Sequence, residues 1–182
     1  TPLAPDDQIR GAGGDLTVLQ WQAVSTLSAH STSGSKDFEG AALVSEPLLR
    51  LLPDASLVPN LVKEVPSFEN GGLAADLSSV TYNLLEGVVW SDGEPFTAHD
   101  VVATCDVIID PANSATSIQS YGSVAAVEAI DDLTVRITFT DPTLAWFLPF
   151  AGAAEGVIYP KHIIDLGEEG NEILRTAPIG TG

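Results

Sequence analysis

Ser33-Gly34-Ser35-Lys36 has the spacing S-x-x-K. In that pattern a serine hydroxyl lies one helical turn from a lysine that can take its proton, which is acyl-transfer chemistry. Two features weigh against it. No K-T-G triplet occurs anywhere in the chain, and Ser33 lies in a run of small polar residues rather than at a clear helix start. The three histidines, His30, His99 and His162, are scattered. None has a second His, Cys or carboxylate at a chelating spacing. His99 and Asp100 are adjacent in what reads as a helix's first turn, where neighbours point about 100° apart, a poor chelate. The single cysteine, Cys105, cannot form an internal disulfide. There is no G-x-S-x-G, no phosphate loop and no G-x-G-x-x-G. The sequence therefore implies no metal, no cofactor and no complete catalytic set.

Charge narrows the partners. With 25 acidic residues against 7 basic ones, the net charge is −18. Such a surface repels nucleic acid and anionic membranes, and it keeps a protein dispersed. The 182 residues suffice for one domain or two small lobes. No apolar run is long enough to span a bilayer. The polar, Pro- and Gly-containing start, TPLAPDDQIRGAGGD, reads as a disordered linker over residues 1–14. The chain has no methionine, so a piece of a longer protein is expected, with any signal segment upstream.

The elements that must position these residues are mixed. LTVLQWQA (residues 16–23) is an apolar run suited to a buried strand, and STLSAHSTSGSKD suits a loop. FEGAALVSE, from Asp37 onward, has a helical pattern ended by Pro47. LLRLL-PDAS-LVPN spells a hairpin, SFENGGLAADLSS a polar connection, and Val80, Tyr82 and Leu84 one buried face of a strand. Ser91-Asp92-Gly93 is turn chemistry. Thr97 and Asp100 form a capping box ahead of a helix whose apolar face holds Val101, Cys105 and Ile108, with Val102 and Ile109 beside it. Pro111 stops that helix. VAAVEAI and LTVRITFT flank Asp131-Asp132 as an antiparallel hairpin with one wet face. Asp141-Pro142 opens a helix over TLAWFLPF. GVIYP reads as a short strand, and KHIIDLGEEG as a short helix and its exit. Trp90 and Trp146 read as core. Trp21 and Gln22 end the first strand beside a polar loop, where an aromatic ring and an amide suit a polar organic ligand or simple edge packing. With no regular βαβ repeat, the class is α+β.

LLEGVVWSDGEPFTAHDVVATCDVIIDP (residues 84–111) resembles the signature region of the family 5 extracellular solute-binding proteins, the oligopeptide-, dipeptide- and nickel-type receptors of bacterial ABC importers. Its usual core, L-x-E-G-V-x-W-S-D-G-x-P-F-T-A-x-D-V, is matched from Leu85 to Val101. The segments LQWQAVSTLSAHSTSGSKDFEGAALVSEPL, VEAIDDLTVRITFTDPT, IYPKHI and PIGTG resemble, in order, other parts of the family. The resemblance implies a mixed α/β piece of a type II periplasmic-binding fold with lobe II absent. Residues 15–46 would start lobe I, 47–158 form its accessory subdomain, and 159–182 return into lobe I. It implies capture rather than catalysis: a monomer outside the cytoplasm, anchored by lipid upstream, holding a peptide or similar polar solute for a membrane permease. The positions it points to for ligand contact are Trp21, Gln22, Ala23, Ser35, Lys36 and Asp37, with Lys36 either pairing a ligand carboxylate or solvated. The alternatives are a serine acyltransferase of β-lactamase type through Ser33 and Lys36, and a freestanding interaction module.

Overall fold

Strict alternation makes the central sheet. The structure is a computed structural model and describes residues 17–152 and 156–181. Strand β3 (Ser79–Asn83) buries Val80 and Tyr82, and β5 (Thr134–Phe139) buries Val135, Ile137 and Phe139. The two pair antiparallel with Val80 opposite Ile137 and Tyr82 opposite Val135, so the apolar side chains meet on one face. Strand β4 (Val124–Asp131) completes the hairpin, giving the order β3-β5-β4. A smaller hairpin, β1 (Leu49–Leu51) with β2 (Leu57–Pro59), forms from the LLRLL and LVPN segments, as their spacing predicts.

Helix α2 (Ala98–Ile109) packs on this sheet. Its capping box forms, and Thr97 N–H donates to Asp100 Oδ2 at 2.7 Å. Val101, Cys105 and Ile108 lie buried at helical spacing, whereas Ile109 is exposed. The turn before it bends at Gly93, whose φ of +96° is the left-handed geometry that a Cβ resists. Trp90 closes that turn against Phe96, ring edge to face at 5.7 Å. These residues, with Tyr82 and Phe150, form one large apolar core.

A second, smaller cluster gathers Ala29, Ala41, Val157, Tyr159, Ile163 and Leu174. The contributing helices are α1 (Ser35–Ala41), α3 (Lys161–Ile164) and α4 (Glu168–Thr176). Among the described residues no helix is long and apolar enough to cross a membrane.

Five expectations change. Residues 17–23 form no strand: Leu19 is 96% exposed and Trp21 75%. No described strand lies beside them to complete a ladder, and an unpaired strand is not stable. Leu16 and the linker at 1–14 fall outside the described residues. Helix α1 starts at Ser35, not Asp37, because Gly34 supplies the extended cap residue; it ends at Ala41, and bonds from Leu43 to Gly40 and Val44 to Ala41 tighten the exit well before Pro47. TLAWFLPF holds turns and a 3-10 turn at Leu148–Phe150 instead of an α-helix. Pro149 has no N–H to donate to Ala145, and the bonds made there reach only three residues back. GVIYP makes one bridge, Val157 with Pro47, rather than a strand. The exit after KHII is the start of α4, with acidic Glu168 and Glu169 in its first turn and Arg175 in its last.

Candidate functional site

The loop from Ser25 to Gly34 is small and polar, so it has little apolar surface to bury and must be held by hydrogen bonds. Asp37, in the first turn of α1, supplies them. Its Oδ1 accepts from Ser25 N–H at 2.7 Å and from the Lys36 ammonium at 2.6 Å, and its Oδ2 accepts from the Thr32 hydroxyl at 2.8 Å. Lys36 Nζ also donates to Ser25 Oγ at 2.5 Å. Burial opposes the charge on Asp37, but the Lys36 bond, the Ser25 N–H and the Thr32 hydroxyl outweigh it and hold the carboxyl at about 2. The pair is nearly sealed, with side chains 11% and 5% exposed.

His30 fixes the other end of the loop. Its Nε2 lies 2.9 Å from the Val157 carbonyl, which can only accept, so Nε2 carries the proton. Nδ1 then accepts from the Ser117 hydroxyl at 2.7 Å. Full burial lowers the imidazole to about 4, against the opposing pull of the Val157 carbonyl, so it is neutral at pH 7. The Tyr159 hydroxyl accepts the His30 N–H at 3.1 Å and pairs with Ser28 Oγ at 2.9 Å. Thr116 N–H donates to the His30 carbonyl at 2.8 Å, and its hydroxyl to the Thr32 carbonyl at 2.7 Å. Leu27 N–H donates to the Arg175 carbonyl at 2.8 Å, tying the loop to the end of α4.

Between this loop, the end of α2 and α4 opens a cleft of about 560 Å³. That volume suits a small organic ligand. Its walls carry hydroxyls from Ser25, Thr26 and Ser31, amides from Asn113 and Asn171, and the Arg175 side chain; Val107, Ile164 and Leu174 give it an apolar floor.

The candidate residues divide. Asp37 lines the cleft, but its oxygens are occupied by the loop. Lys36 is committed to Asp37 and Ser25, so its amine is neither solvated nor open to a ligand carboxylate. The same contacts leave the S-x-x-K serine without a base, since Ser33 is exposed and Lys36 faces elsewhere. Trp21, Gln22, Ala23 and Ser35 are exposed and lie outside the cleft; Gln22 and Ala23 border a separate groove of about 430 Å³ beside Val24, Leu27 and Leu43. His99 reaches Asp132 at 3.6 Å and His162 reaches Asp92 at 2.7 Å, both away from the cleft. Among the described residues no three His, Cys, Asp or Glu side chains form a metal cluster. Sequence reasoning does not single out His30, Asn113, Asn171 or Arg175 for this cleft. His30 left no local signal, because its partners lie 87 and 127 residues away. Asn171 and Arg175 were legible as an i, i+4 pair once α4 is seen as a helix.

The comparisons agree with this architecture. A family model described as "Bacterial extracellular solute-binding proteins, family 5 Middle" matches residues 56–182. Glutathione-binding protein GsiB of Escherichia coli (strain K12) is 34% identical over 114 residues, covering 63% of this chain and 22% of GsiB. Protein XP55 of Streptomyces lividans is 31% identical over 144 residues, covering 79% of this chain and 25% of XP55. The structure of the PBP AgaA from A.tumefacien R10, in complex with agropinic acid, superposes with a TM-score of 0.75 at 24% identity, over 88% of this chain and 30% of AgaA. The chain thus spans about a quarter of the length of these curated relatives. The fold is a mixed α/β part of the type II periplasmic-binding-protein architecture. From the family match over most of its length, the chain belongs to the family 5 bacterial extracellular solute-binding proteins.

Proposed function

We propose that this chain is the first part of a receptor that captures a peptide or similar small polar solute outside the cytoplasm and delivers it to an ABC permease. The observation that carries the reading is the cleft: a polar, hydroxyl-walled cavity of ligand size, held by a loop whose own charges are already paired. Such a site binds without covalent chemistry, and the S-x-x-K serine has no base beside it. The relatives point the same way, since GsiB is a glutathione-binding protein and AgaA holds agropinic acid. Residues 15–46 and 159–182 would belong to lobe I, and residues 47–158 would form its accessory subdomain, whose Val107, Asn113 and Ala115 complete the wall of the cleft. The exposed Trp21, Gln22, Ala23 and Ser35 would meet either the ligand or the remainder of the receptor. A second lobe would then close over the ligand about a hinge.

Native mass spectrometry of the full-length protein, purified without unfolding, tests this. The expected result is an excess mass on the order of a few hundred daltons, lost on denaturation, as suits a cavity of this volume. A protein that stays bare and gains no mass from a mixture of di- and tripeptides would refute the peptide-receptor reading.

A further inference from the structure

The cleft's lining contains two side chains that carry full charge at pH 7, Asp37 and Arg175. Asp37 is neutralised at 2.6 Å by Lys36. His30, also in the lining, is buried and neutral. Arg175 makes no ion pair among the described residues, not even with Glu172 one turn before it. The one uncompensated charge among the described residues facing this cleft is therefore positive, in a chain whose net charge is −18. Asn171 stands four residues earlier on α4, on the same helix face; both residues are exposed at the rim of the cleft, and the Asn171 side-chain amide likewise makes no hydrogen bond to protein among the described residues. Residues at this spacing have Cβ atoms about 5–6 Å apart, so an amide N–H and a guanidinium fork can converge on one small anion. Leu174, between them, is buried beneath and fixes the helix face. The Leu27-to-Arg175 backbone bond fixes where α4 ends against the loop.

We propose that Arg175, assisted by Asn171, is the anion-reading pair of this cleft, and that the solute it selects carries a carboxylate. Lys36 cannot take this role, because its charge is spent on holding the loop. Planar, forked guanidinium is also the better match to a carboxylate. The proposal rests on the reading of the chain as part of a receptor. A solvated arginine that merely balances the helix dipole would affect stability, and would leave ligand choice unchanged.

The test uses the full-length protein and two probe sets: di- and tripeptides with free C-terminal carboxylates, and the same peptides as C-terminal amides. Binding is measured by calorimetry on wild type, Arg175→Gln, Arg175→Lys and the exposed control Glu172→Gln, with thermal melts to verify folding. The expected result is that wild type prefers the free acids. Arg175→Gln should weaken those by about tenfold or more and leave the amides unchanged, as loss of a charge-assisted bond predicts. Arg175→Lys should fall between, and Glu172→Gln should match wild type. Unchanged discrimination in Arg175→Gln overturns the arginine's role and leaves the receptor reading standing. Wild type that binds neither probe set overturns both. If the glutamine variant does not fold, the lysine variant decides, with wild-type discrimination counting against the proposal.

Discussion

Replacing Asp37 with Asn removes the charge around which the cleft's loop is built. In the wild type the carboxyl is held at about 2 against an ordinary 3.8. At about 1.36 kcal/mol per unit, that difference amounts to roughly 2.4 kcal/mol favouring the folded state while Asp37 is ionised. Because the folded value is the lower one, the contribution is complete above pH 4 and is lost as pH falls from 3.8 through about 2. At neutral pH the variant also strands the Lys36 ammonium, whose other bond is to Ser25. Breaking a fully buried pair costs about 3–5 kcal/mol. Lys36 keeps 11% of its side chain exposed, so its amine can turn toward water, and the expected loss is the smaller, about 2–3 kcal/mol. Urea unfolding of wild type and Asp37→Asn at a series of pH values between 7 and 2 measures both effects. The stability gap should be largest at pH 7 and shrink by about 2 kcal/mol toward pH 2. Equal stabilities within about 0.5 kcal/mol at pH 7, or a gap that does not narrow in acid, would refute the claim that this carboxylate organises the loop.

His30 titrates near 4 instead of 6.5 because burial disfavours its charged form. Its stabilising contribution is present above pH 6.5 and lost as pH falls through 4, and its ring resonances in an NMR titration should show a midpoint more than a unit below 6.5; a midpoint near 6.5 would contradict the buried, neutral assignment. Cys105 is 1% exposed and its thiol is pushed up to about 12, by burial first and by the charge of Asp106 second. A thiol-reactive dye at pH 8 should label it only under unfolding conditions, and rapid labelling of the native protein would mean that the face of α2 on which it lies is not closed.

Much of the fold was legible because its cause is local. Alternation at Val80, Tyr82, Leu84 and at Val135, Ile137, Phe139 can be satisfied only by a one-sided sheet, and these residues are buried. Thr97, Asp100 and Pro111 bracket α2 by groups that act within one turn. The site was less legible. The family resemblance left Lys36 to a ligand carboxylate or to solvent, since nothing in the sequence shows Ser25 and Asp37 folding around it. Local pattern suggested that LTVLQWQA was a strand, yet a strand is a property of a pair, and no described partner lies beside residues 17–23. It read KHIIDLGEEG as a short helix and its exit, whereas Gly170 lies inside α4, where the close approach of the Ile163 carbonyl leaves no room for a Cβ.

The sequence by itself determined that this is an acidic mixed α/β chain with a capped helix, a one-sided strand and an antiparallel hairpin, since each of those features follows from charge, period or a neighbouring cap. The tertiary structure joined that strand to the hairpin in one three-stranded sheet. Only the tertiary structure decided which polar groups are spent on holding the fold and which remain for a ligand. His30 meets Ser117 and Val157 across 87 and 127 residues. The Lys36–Asp37 pair is closed by Ser25 and Thr32, and Arg175 is left facing the cleft. A side chain's availability depends on its neighbours in space, and those are set when the loop, α2 and α4 converge.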